Sequence, residues 1–286
     1  KKKKNTFTIS PNGSEKINGG AGNINLTTNG QSLTLVYVDG TKGWKSIESG
    51  TFTSVGSNFV TATGGTITES GNYKIHTFTS PGSFVVQSVS PSAPDNILSQ
   101  VVIAGGGGGS AGRPGSSHVS GAGGAGGFRE ESNPADPYVP ADSPLASASS
   151  RALTVATFPI TVGAGGAGLA QPNCSTQGNP GSPSTGIVLV SAGGGGGGSP
   201  NDPQNVGLAG GSGGGGSSQS GAAGGAGNTP PVSPPQGQNG GAGNDGPSSN
   251  ISSGGGGGAG GTGANGTGGS GGNGGAGVAT SITGSA

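Results

Sequence analysis

The stretch GGGGGAGGTGANGTGGSGGNGGAG (254–277) carries glycine at every third position. The other positions hold only Gly, Ala, Ser, Thr or Asn. A period of three matches neither the α-helix nor the β-strand, but it is the period of the polyproline II conformation. As one straight rod the stretch would be about 75 Å long, at about 3.1 Å per residue. The glycines of the repeat are Gly254, Gly257, Gly260, Gly263, Gly266, Gly269, Gly272 and Gly275.

The lack of side chains predicts that such rods pack against one another. A polyproline II helix forms no internal hydrogen bonds, so its N–H and C=O groups bond to water or to neighbouring chains. Glycine at every third position lets backbones approach until they exchange N–H···O=C bonds, with Cα–H···O contacts as a weaker addition. The stretch therefore predicts a bundle of polyglycine II helices.

Two alternatives use the same composition. A collagen triple helix also needs glycine at every third residue, but its proline content is at or above about 15%, and this stretch has no proline. A disordered low-complexity linker fits the 71 glycines and 20 prolines of the 286-residue chain, although the regular period disfavours it. Both alternatives stay open from the sequence.

Composition limits what can order the chain. Hydrophobic residues make up only 27%, too few for one conventional core through the whole length. No aromatic residue follows Phe158, so backbone hydrogen bonds rather than side-chain burial must order the C-terminal half. The formal net charge is +0, and Lys1–Lys4 are left out of the fold prediction. We expect no nucleic-acid partner and no membrane insertion, because basic patches and long apolar runs are absent.

Side chains that carry catalysis or bind metals are few and scattered. Cys174 is the only cysteine, which excludes an intramolecular disulfide and a cysteine zinc site. His76 and His118 have no second histidine or acid at metal or triad spacing. Glu130 and Glu131 are predicted to be a charge pair in a loop, and a polysaccharide-cleaving enzyme would need a paired-carboxylate cleft. We expect no enzyme, no catalytic residue, no metal and no cofactor.

Two small antiparallel β modules are predicted before the glycine-rich part, in residues 1–50 and 51–104. Residues 105–286 are predicted to be a polyglycine II domain with loops, so the fold class is all-β plus polyglycine II with essentially no α-helix. The last strand of the second module runs directly into the first glycine segment. The strand candidates are 6–9, 24–26, 33–38, 44–47, 59–62, 66–68, 73–78, 83–89, 96–104, 152–162 and 187–192.

From Gly105 onward, glycine segments alternate with interruptions richer in Pro, Asn, Ser and charge. In a rigid array such loops collect at the ends of the rods, and loops on a rigid scaffold usually carry binding specificity. The glycine segments are 105–109, 121–127, 163–168, 193–198, 207–216, 221–227, 237–246 and 254–277, and the interruptions are 113–120, 128–151, 169–185, 199–206 and 228–236.

Several runs resemble the glycine-rich region of large virion proteins of marine cyanophages. They are GGAGGFRE within 121–130, ADSPLASAS (141–149), FPITVGAGGAG (158–168) and NTPPVSPPQGQNGG (228–241). Residues 59–86 resemble the β segment that leads into that region, and 5–47 is similar to a small β module common in phage fibre proteins. The glycine architecture is also similar to the adhesins that cap long tail fibres of some T-even phages, in which loops at the tip of a polyglycine II sandwich contact the host receptor.

The resemblance implies an extracellular virion component, a tail fibre or adhesin, that binds a host-surface glycan or lipopolysaccharide through its loops. It also implies a homo-oligomer, a trimer as in phage fibres, attached to other fibre proteins. Residues 5–103 are themselves short of apolar area for stability alone. The rival is a purely structural spacer fibre or extracellular filament protein. Aromatic rings and guanidinium groups suit glycans, so the candidate contacts are Arg129, Tyr138, Arg151, Phe128, Arg113 and His118, although Phe128 could instead pack against the bundle.

Overall fold

The computed structural model describes residues 7–17, 19–26, 32–46, 60–70, 73–90, 96–115, 117–132, 143–148, 151–171, 175–247 and 249–283. Within these residues the protein is all-β, with small, mostly antiparallel sheets and no α-helix. The helical residues there are in 3-10 conformation, at Gln219–Gly221 and at Asn96, and none of the described helices could span a membrane. The all-β prediction is confirmed.

The chain divides into two compact units. The first is made of Lys1–Val60 and Ser88–Asn96, and the second of Thr61–Gln87 and Ile97–Ala286. This division differs from the predicted boundaries, because much of the expected second module belongs with the glycine-rich part. The link is a strand pairing: Phe84 lies opposite Phe158 in antiparallel register.

Short strands form two separate antiparallel pairs in the first unit. They are β1 (Phe7–Ile9) with β2 (Ile24–Leu26), and β3 (Leu35–Asp39) with β4 (Gly43–Ser46). Asp39 closes the turn between β3 and β4, since its Oδ1 accepts hydrogen bonds from the backbone N–H groups of Thr41 and Lys42. Asp in a turn commonly bonds to backbone N–H groups a few residues on in this way.

Side-chain packing in the first unit is sparse. Tyr37 and Trp44 lie opposite each other in β3 and β4, and their rings meet edge to face with centroids 5.4 Å apart. Tyr37 nevertheless stays 49% exposed and Phe7 66% exposed, and Ile17 is the buried hydrophobic residue among those described in this unit. Local turns and ring contacts, rather than an extensive core, hold these strands.

The strands of the second unit form sheets of two or three strands. The three-stranded sheets have the orders β14-β8-β5 and β10-β11-β12, and the pairs are β6–β7, β9–β13, β15–β16 and β17–β18. The bounds are β5 (Thr61–Thr63), β6 (Thr66–Ser70), β7 (Tyr73–Thr77), β8 (Gly82–Ser88), β9 (Ile97–Leu98), β10 (Gln100–Ile103), β11 (Phe128–Ser132), β12 (Ala146–Ala148), β13 (Arg151–Ala152), β14 (Ala156–Ile160), β15 (Ser184–Thr185), β16 (Val190–Ser191), β17 (Asn244–Asp245) and β18 (Ile251–Ser252).

A small side-chain core lies among these sheets. Alternate residues of β8 point inward, so Phe84 and Val86 are buried while their neighbours are more exposed. The ring of His76 meets Phe84 edge to face at 5.0 Å, and its Nδ1 lies 2.8 Å from the carbonyl oxygen of Gly64. Val102 and Phe128 are buried in the neighbouring sheet. Strands of these sheets lead directly into glycine segments, as β10 leads into segment 105–109.

Strand β11 corrects the prediction that residues 128–151 are a loop insert. Phe128–Ser132 is the central strand of its sheet, antiparallel to β10 and parallel to β12. The predicted loop pair of Glu130 and Glu131 is therefore wrong, since both residues lie in this strand and both are buried. The three charged residues of this stretch are typical of a loop, and for that reason the strand was not predicted. Its backbone pairs with β10, whose buried N–H and C=O groups require partners.

Glycine segments run back and forth beside these sheets and hydrogen-bond to one another. For example, Gly107 donates to the carbonyl of Gly124 at 2.9 Å in an antiparallel neighbour, and Gly194 donates to the carbonyl of Gly105 at 2.9 Å in a parallel one. We call the whole set the glycine array. It consists of the segments 105–109, 121–127, 163–169, 177–182, 193–198, 207–211, 211–217, 222–228, 237–243, 254–258, 261–266 and 271–277.

Segment 211–217 lies at the centre of the glycine array. Every residue in it is buried, although none has a side chain larger than that of serine. Here backbone hydrogen bonds to surrounding segments replace the side-chain core of an ordinary domain. Among the described residues it bonds to six segments: 121–127, 193–198, 207–211, 222–228, 237–243 and 254–258.

Hydrogen bonds from one segment to a given neighbour recur at every third residue. Gly195 and Gly198, for instance, donate to Ser212 and Gly215 of one neighbour. Residues between such donors direct their N–H groups towards other neighbours, as Gly197 does when it donates to the carbonyl of Gly108. The same spacing holds for Gly121 and Gly124, Gly178 and Gly181, Gly194 and Gly197, Gly213 and Gly216, Gly254 and Gly257, and Gly272 and Gly275.

Residues 254–277 do not form the single rod of about 75 Å that the period predicts. A turn after Gly258 and another at Thr267–Ser270 divide them into segments 254–258, 261–266 and 271–277. In the second turn Gly268 and Gly269 have positive φ of 53° and 80°, which glycine adopts without a Cβ penalty. The single-rod prediction is wrong because the three short segments satisfy one another's backbone groups.

All eight glycines of the repeat lie at close approaches. A Cβ added at any of them would lie 1.9 to 2.7 Å from an atom of a neighbouring part of the chain. At Gly274, which is outside the repeat register, the nearest such atom is 3.9 Å away. The register that the sequence reserves for glycine therefore faces neighbouring parts of the chain at all eight positions. Outside that register the contacts vary, from 2.1 and 2.0 Å at Gly255 and Gly256 to 3.9 Å at Gly274.

Amide hydrogen exchange along segment 163–169 should follow the three-residue period. Gly166 and Leu169 donate to the carbonyls of Gly106 and Gly109 at 2.8 and 3.0 Å, whereas Gly165 and Ala167 have no acceptor among the described residues. We expect the bonded amides to exchange on the order of a hundredfold more slowly, because exchange requires the bond to open. Residue-resolved NMR measures this, and uniform exchange across the segment would contradict the bonding pattern.

Candidate functional site: the loops at one end of the glycine array

The directions of the segments sort the connecting loops into two ends of the array. Segments 105–109, 163–169 and 193–198 run parallel to one another, each starting near a strand. The loops that follow them therefore share one end, which we call the loop end, and the opposite end is the strand end. The loop end comprises the described parts 110–115, 117–120, 170–171, 175–177, 199–206, 217–221, 244–247, 249–253 and 267–270.

Side-chain hydrogen bonds join separate loops at the loop end. Arg113 donates from Nη1 to Oδ1 of Asn201 at 3.3 Å, which links 110–115 to 199–206. Gln177 donates from Nε2 to the carbonyl of Val206 at 3.0 Å, which links 175–177 to the same loop. Loops far apart in sequence are in this way held side by side.

His118 and Asp245 form a third link at this end. Nδ1 of His118 lies 3.7 Å from Oδ1 of Asp245, and Oδ2 of Asp245 accepts a hydrogen bond from the backbone N–H of Ser220 at 3.0 Å. The two side chains are 26% and 38% exposed, so both reach solvent. Asp245 thus fixes the 217–221 turn while leaving a partly open carboxylate beside an imidazole.

The surface of the loop end combines polar groups with apolar patches. Arg113 and Asp202 are exposed, and Val119 and Val206 are 39% and 42% exposed. Guanidinium, imidazole, amide and carboxylate groups in one place can donate to and accept from several hydroxyls or acidic groups at once. Such a surface suits a polar, branched ligand.

Those predicted contacts of 128–151 that the structure describes lie at the strand end. The ring of Phe128 is buried, which matches the packing alternative for this residue. Arg129 is half-buried and its Nη1 is 3.4 Å from the carbonyl of Val190. Tyr138 lies outside the described residues. The structure thus brings Arg113 and His118 to one end of the array and places the other described candidates at the opposite end.

Arg151 belongs to a buried network at the strand end. Its Nη2 is 2.8 Å from Oε1 of Glu131, whose side chain is 5% exposed. Gln100 donates from Nε2 both to Glu131 Oε2 and to the carbonyl of Ile187, each at 2.7 Å, and its Oε1 accepts from the N–H of Ile187 at 3.0 Å. Arg151 therefore neutralises a carboxylate that ties several strands together.

A cavity of about 750 Å³ also lies at the strand end. Its lining is largely aliphatic, with Ile97, Val101 and Ile282 among the residues, and the buried Glu130 also lines it. Oε1 of Glu130 accepts a hydrogen bond from Thr280 at 2.7 Å. These features describe a cleft in the side-chain core.

Residues 79–286 match the sequence profile of a family described as glycine-rich domain. This chain belongs to the glycine-rich domain family. The matched range holds the whole glycine array and its loop end. No curated protein and no solved structure matches the chain significantly.

Several loop-end residues of this glycine-rich domain were not singled out from the sequence. Asn201, Gln177 and Asp245 lie in loops that the composition marks as interruptions, but amides and single acids are common in such loops. What could have drawn attention to them is their position directly beside glycine segments. Sequence alone does not say which interruptions share an end, because that depends on the direction of every segment.

Among the described residues of the glycine-rich domain, no group of three or more His, Cys, Asp or Glu side chains could hold a metal ion. Cys174 lies outside the described residues.

Proposed function

We propose that this chain is the host-recognition part of a phage tail fibre and that the loop end binds a cell-surface glycan or lipopolysaccharide. The observation that carries the proposal is the gathering of several loops at one end of the array through Arg113, Gln177 and Asp245. A rigid scaffold that presents clustered polar loops is a common arrangement for recognition. A spacer fibre needs no such cross-linked loops.

We also propose that the segments of the array are polyglycine II helices. A helix with three residues per turn directs every third N–H towards the same neighbour, and the observed bond spacing supports this geometry. The close approaches at the eight repeat glycines support it as well. An experimental structure whose segments depart from φ near about −75° and ψ near about +145° would contradict the proposal.

Homo-oligomerisation through the N-terminal strands, as a trimer attached to other virion proteins, is part of the same proposal. Phe7, Val36 and Val38 support it, since each is about half exposed or more (66%, 48% and 50%) and would gain from burial. A monomeric mass for the intact protein would contradict it. Several copies at one fibre tip would raise avidity for a weakly bound glycan.

Replacing Arg113 by alanine should weaken glycan binding by about tenfold, the equivalent of about 1.4 kcal/mol. The reason is that an exposed guanidinium at the loop end can fork onto carboxylate or phosphate groups of a surface polysaccharide. The measurement is binding of the purified protein to an array of bacterial lipopolysaccharides and capsular glycans.

Arg129→Ala is the matched control, because it removes the same charge from the strand end. Equal loss of binding in Arg113→Ala and Arg129→Ala would place recognition elsewhere. No binding by the unmodified protein to any surface glycan would leave the chain a spacer.

A further inference from the structure

A groove of about 490 Å³ runs along the glycine array. Its walls are almost entirely backbone, from the parts 122–126, 255–259 and 272–278, and the side chains of Ile103, Phe128 and Val278 stand at one end. The groove is therefore bounded by three segments of the array, namely 121–127, 254–258 and 271–277.

The groove coincides with an open position around segment 254–258. The central segment 211–217 bonds to six neighbours among the described residues, whereas 254–258 bonds to five. Those five are 121–127, 211–217, 237–243, 261–266 and 271–277. Since the groove lies between the first and the last of them, it is the place where a sixth segment would continue the array.

Several residues that line this position have backbone groups with no hydrogen-bond partner among the described residues. Gly256 is buried and lines the groove, yet its N–H has no acceptor among the described residues. A buried N–H without an acceptor is costly and uncommon in folded proteins. On the two walls, Gly123 and Gly126, and Gly274 and Gly277, likewise make no backbone hydrogen bond within the described part of the chain. Each wall pair is three residues apart, as are the bonded donors elsewhere in the array.

We propose that this groove receives segment 271–277 of a second copy of the chain. An occupant must bring its own N–H and C=O groups at a three-residue spacing, and it must carry no side chain on the face that enters. Segment 271–277 meets both requirements, because Gly271, Gly274 and Gly277 share one register and are exposed. An added Cβ would meet no atom closer than 3.9 Å at Gly271 or Gly274 and none within 4 Å at Gly277.

The arrangement is self-complementary. Segment 271–277 is at once a wall of the groove and an edge of the array, so a twofold axis places the segment of each copy in the groove of the other. The interface then repeats the hydrogen bonding found inside each array, with Gly256 as one of the donors. This interface does not depend on receptor recognition, and it is separate from the exposed N-terminal strands.

Sedimentation equilibrium of the intact protein tests the proposal. At equal concentration the mass of the unmodified protein should be twice that of the double variant Gly274→Val, Gly277→Val. The added Cβ atoms meet no atom of the array closer than 3.9 Å, so the side chains enter the groove without a backbone clash at Cβ. Gly112→Val is the control, since no atom lies within 4 Å of its added Cβ and it does not line the groove, and it should keep the unmodified mass.

A second variant approaches the groove from the opposite wall. Ala122 and Ala125 are exposed and line it, so Ala122→Gln with Ala125→Gln should also halve the mass, even if the glycine variant does not fold. Equal masses for the unmodified protein and this variant would overturn the proposal, and so would an unchanged mass in a folded Gly274→Val, Gly277→Val protein. Oligomerisation through the N-terminal strands alone would give that result.

Discussion

Replacing Gly195 by alanine should lower the free energy of unfolding of the second unit by about 3 kcal/mol, at the upper end of overpacking effects. The added Cβ would lie 1.9 Å from the carbonyl oxygen of Leu208 and 3.0 Å from the nitrogen of Gly214. Both are backbone atoms of segments that are themselves bonded on other sides, so neither can move without breaking hydrogen bonds. Calorimetry is the suitable measurement, because Trp44, the only tryptophan, lies in the first unit.

Gly165→Ala is the matched control for that substitution. Gly165 also lies in a glycine segment, but the nearest atom to its added Cβ is the carbonyl oxygen of Gly106 at 3.7 Å, an ordinary contact. We expect no loss of stability there, and a small gain is reasonable because alanine restricts the unfolded chain. If both variants lost the same stability, helical or strand propensity rather than close approach would control these segments.

Replacing Arg151 by alanine is expected to destabilise the second unit by about 2 kcal/mol or more. The carboxylate of Glu131 would stay buried, with its side chain 5% exposed, and would lose its 2.8 Å ion pair. Gln100 would still donate to Glu131 Oε2 at 2.7 Å, but the charge of Arg151 would no longer lie beside the carboxylate. The measurement is again the calorimetric transition of the second unit.

Two further variants separate this ion pair from general loss of charge. Arg129→Ala removes a half-buried arginine from β11, the strand that carries Glu131. Its hydrogen bond to the carbonyl of Val190 is long, at 3.4 Å, so the change should alter stability little. Glu131→Gln combined with Arg151→Ala should recover part of the loss, since the uncompensated charge is then gone. Stability unchanged in Arg151→Ala would show that Glu131 is satisfied without it.

The period of three predicted the close packing of the array, and it did so for a physical reason. Only glycine fits where one backbone touches another, so glycines at positions such as Gly254 and Gly272 mark the places of contact in the sequence. The same period could not predict the turns at Gly258 and Gly268, because glycine is equally suited to a rod and to a turn. Composition therefore gave the kind of contact but not the length of the segments.

Strand β11 and the loop end show where sequence reasoning falls short. Arg129, Glu130 and Glu131 lack the alternation of a half-buried strand, and only the partners Gln100 and Arg151 make a strand there acceptable. At the loop end, Arg113 and His118 were predicted as candidates, but their neighbours depend on which segments run parallel. That information is non-local, since the bonded segments are separated by tens of residues.

The three-residue spacing of the bonds restricts how this chain can change in length. One residue inserted into a segment such as 193–198 would turn every following N–H towards the wrong neighbour and would bring an unsuited residue into the contact register. An insertion of three residues keeps both the directions of the N–H groups and the glycines at the contact positions, and it lengthens the segment by one turn. Loops at either end have no such restriction. The lengths of the glycine segments in relatives should therefore differ by multiples of three residues. The loops between them can vary in length by any number of residues, and their binding preference can vary with them.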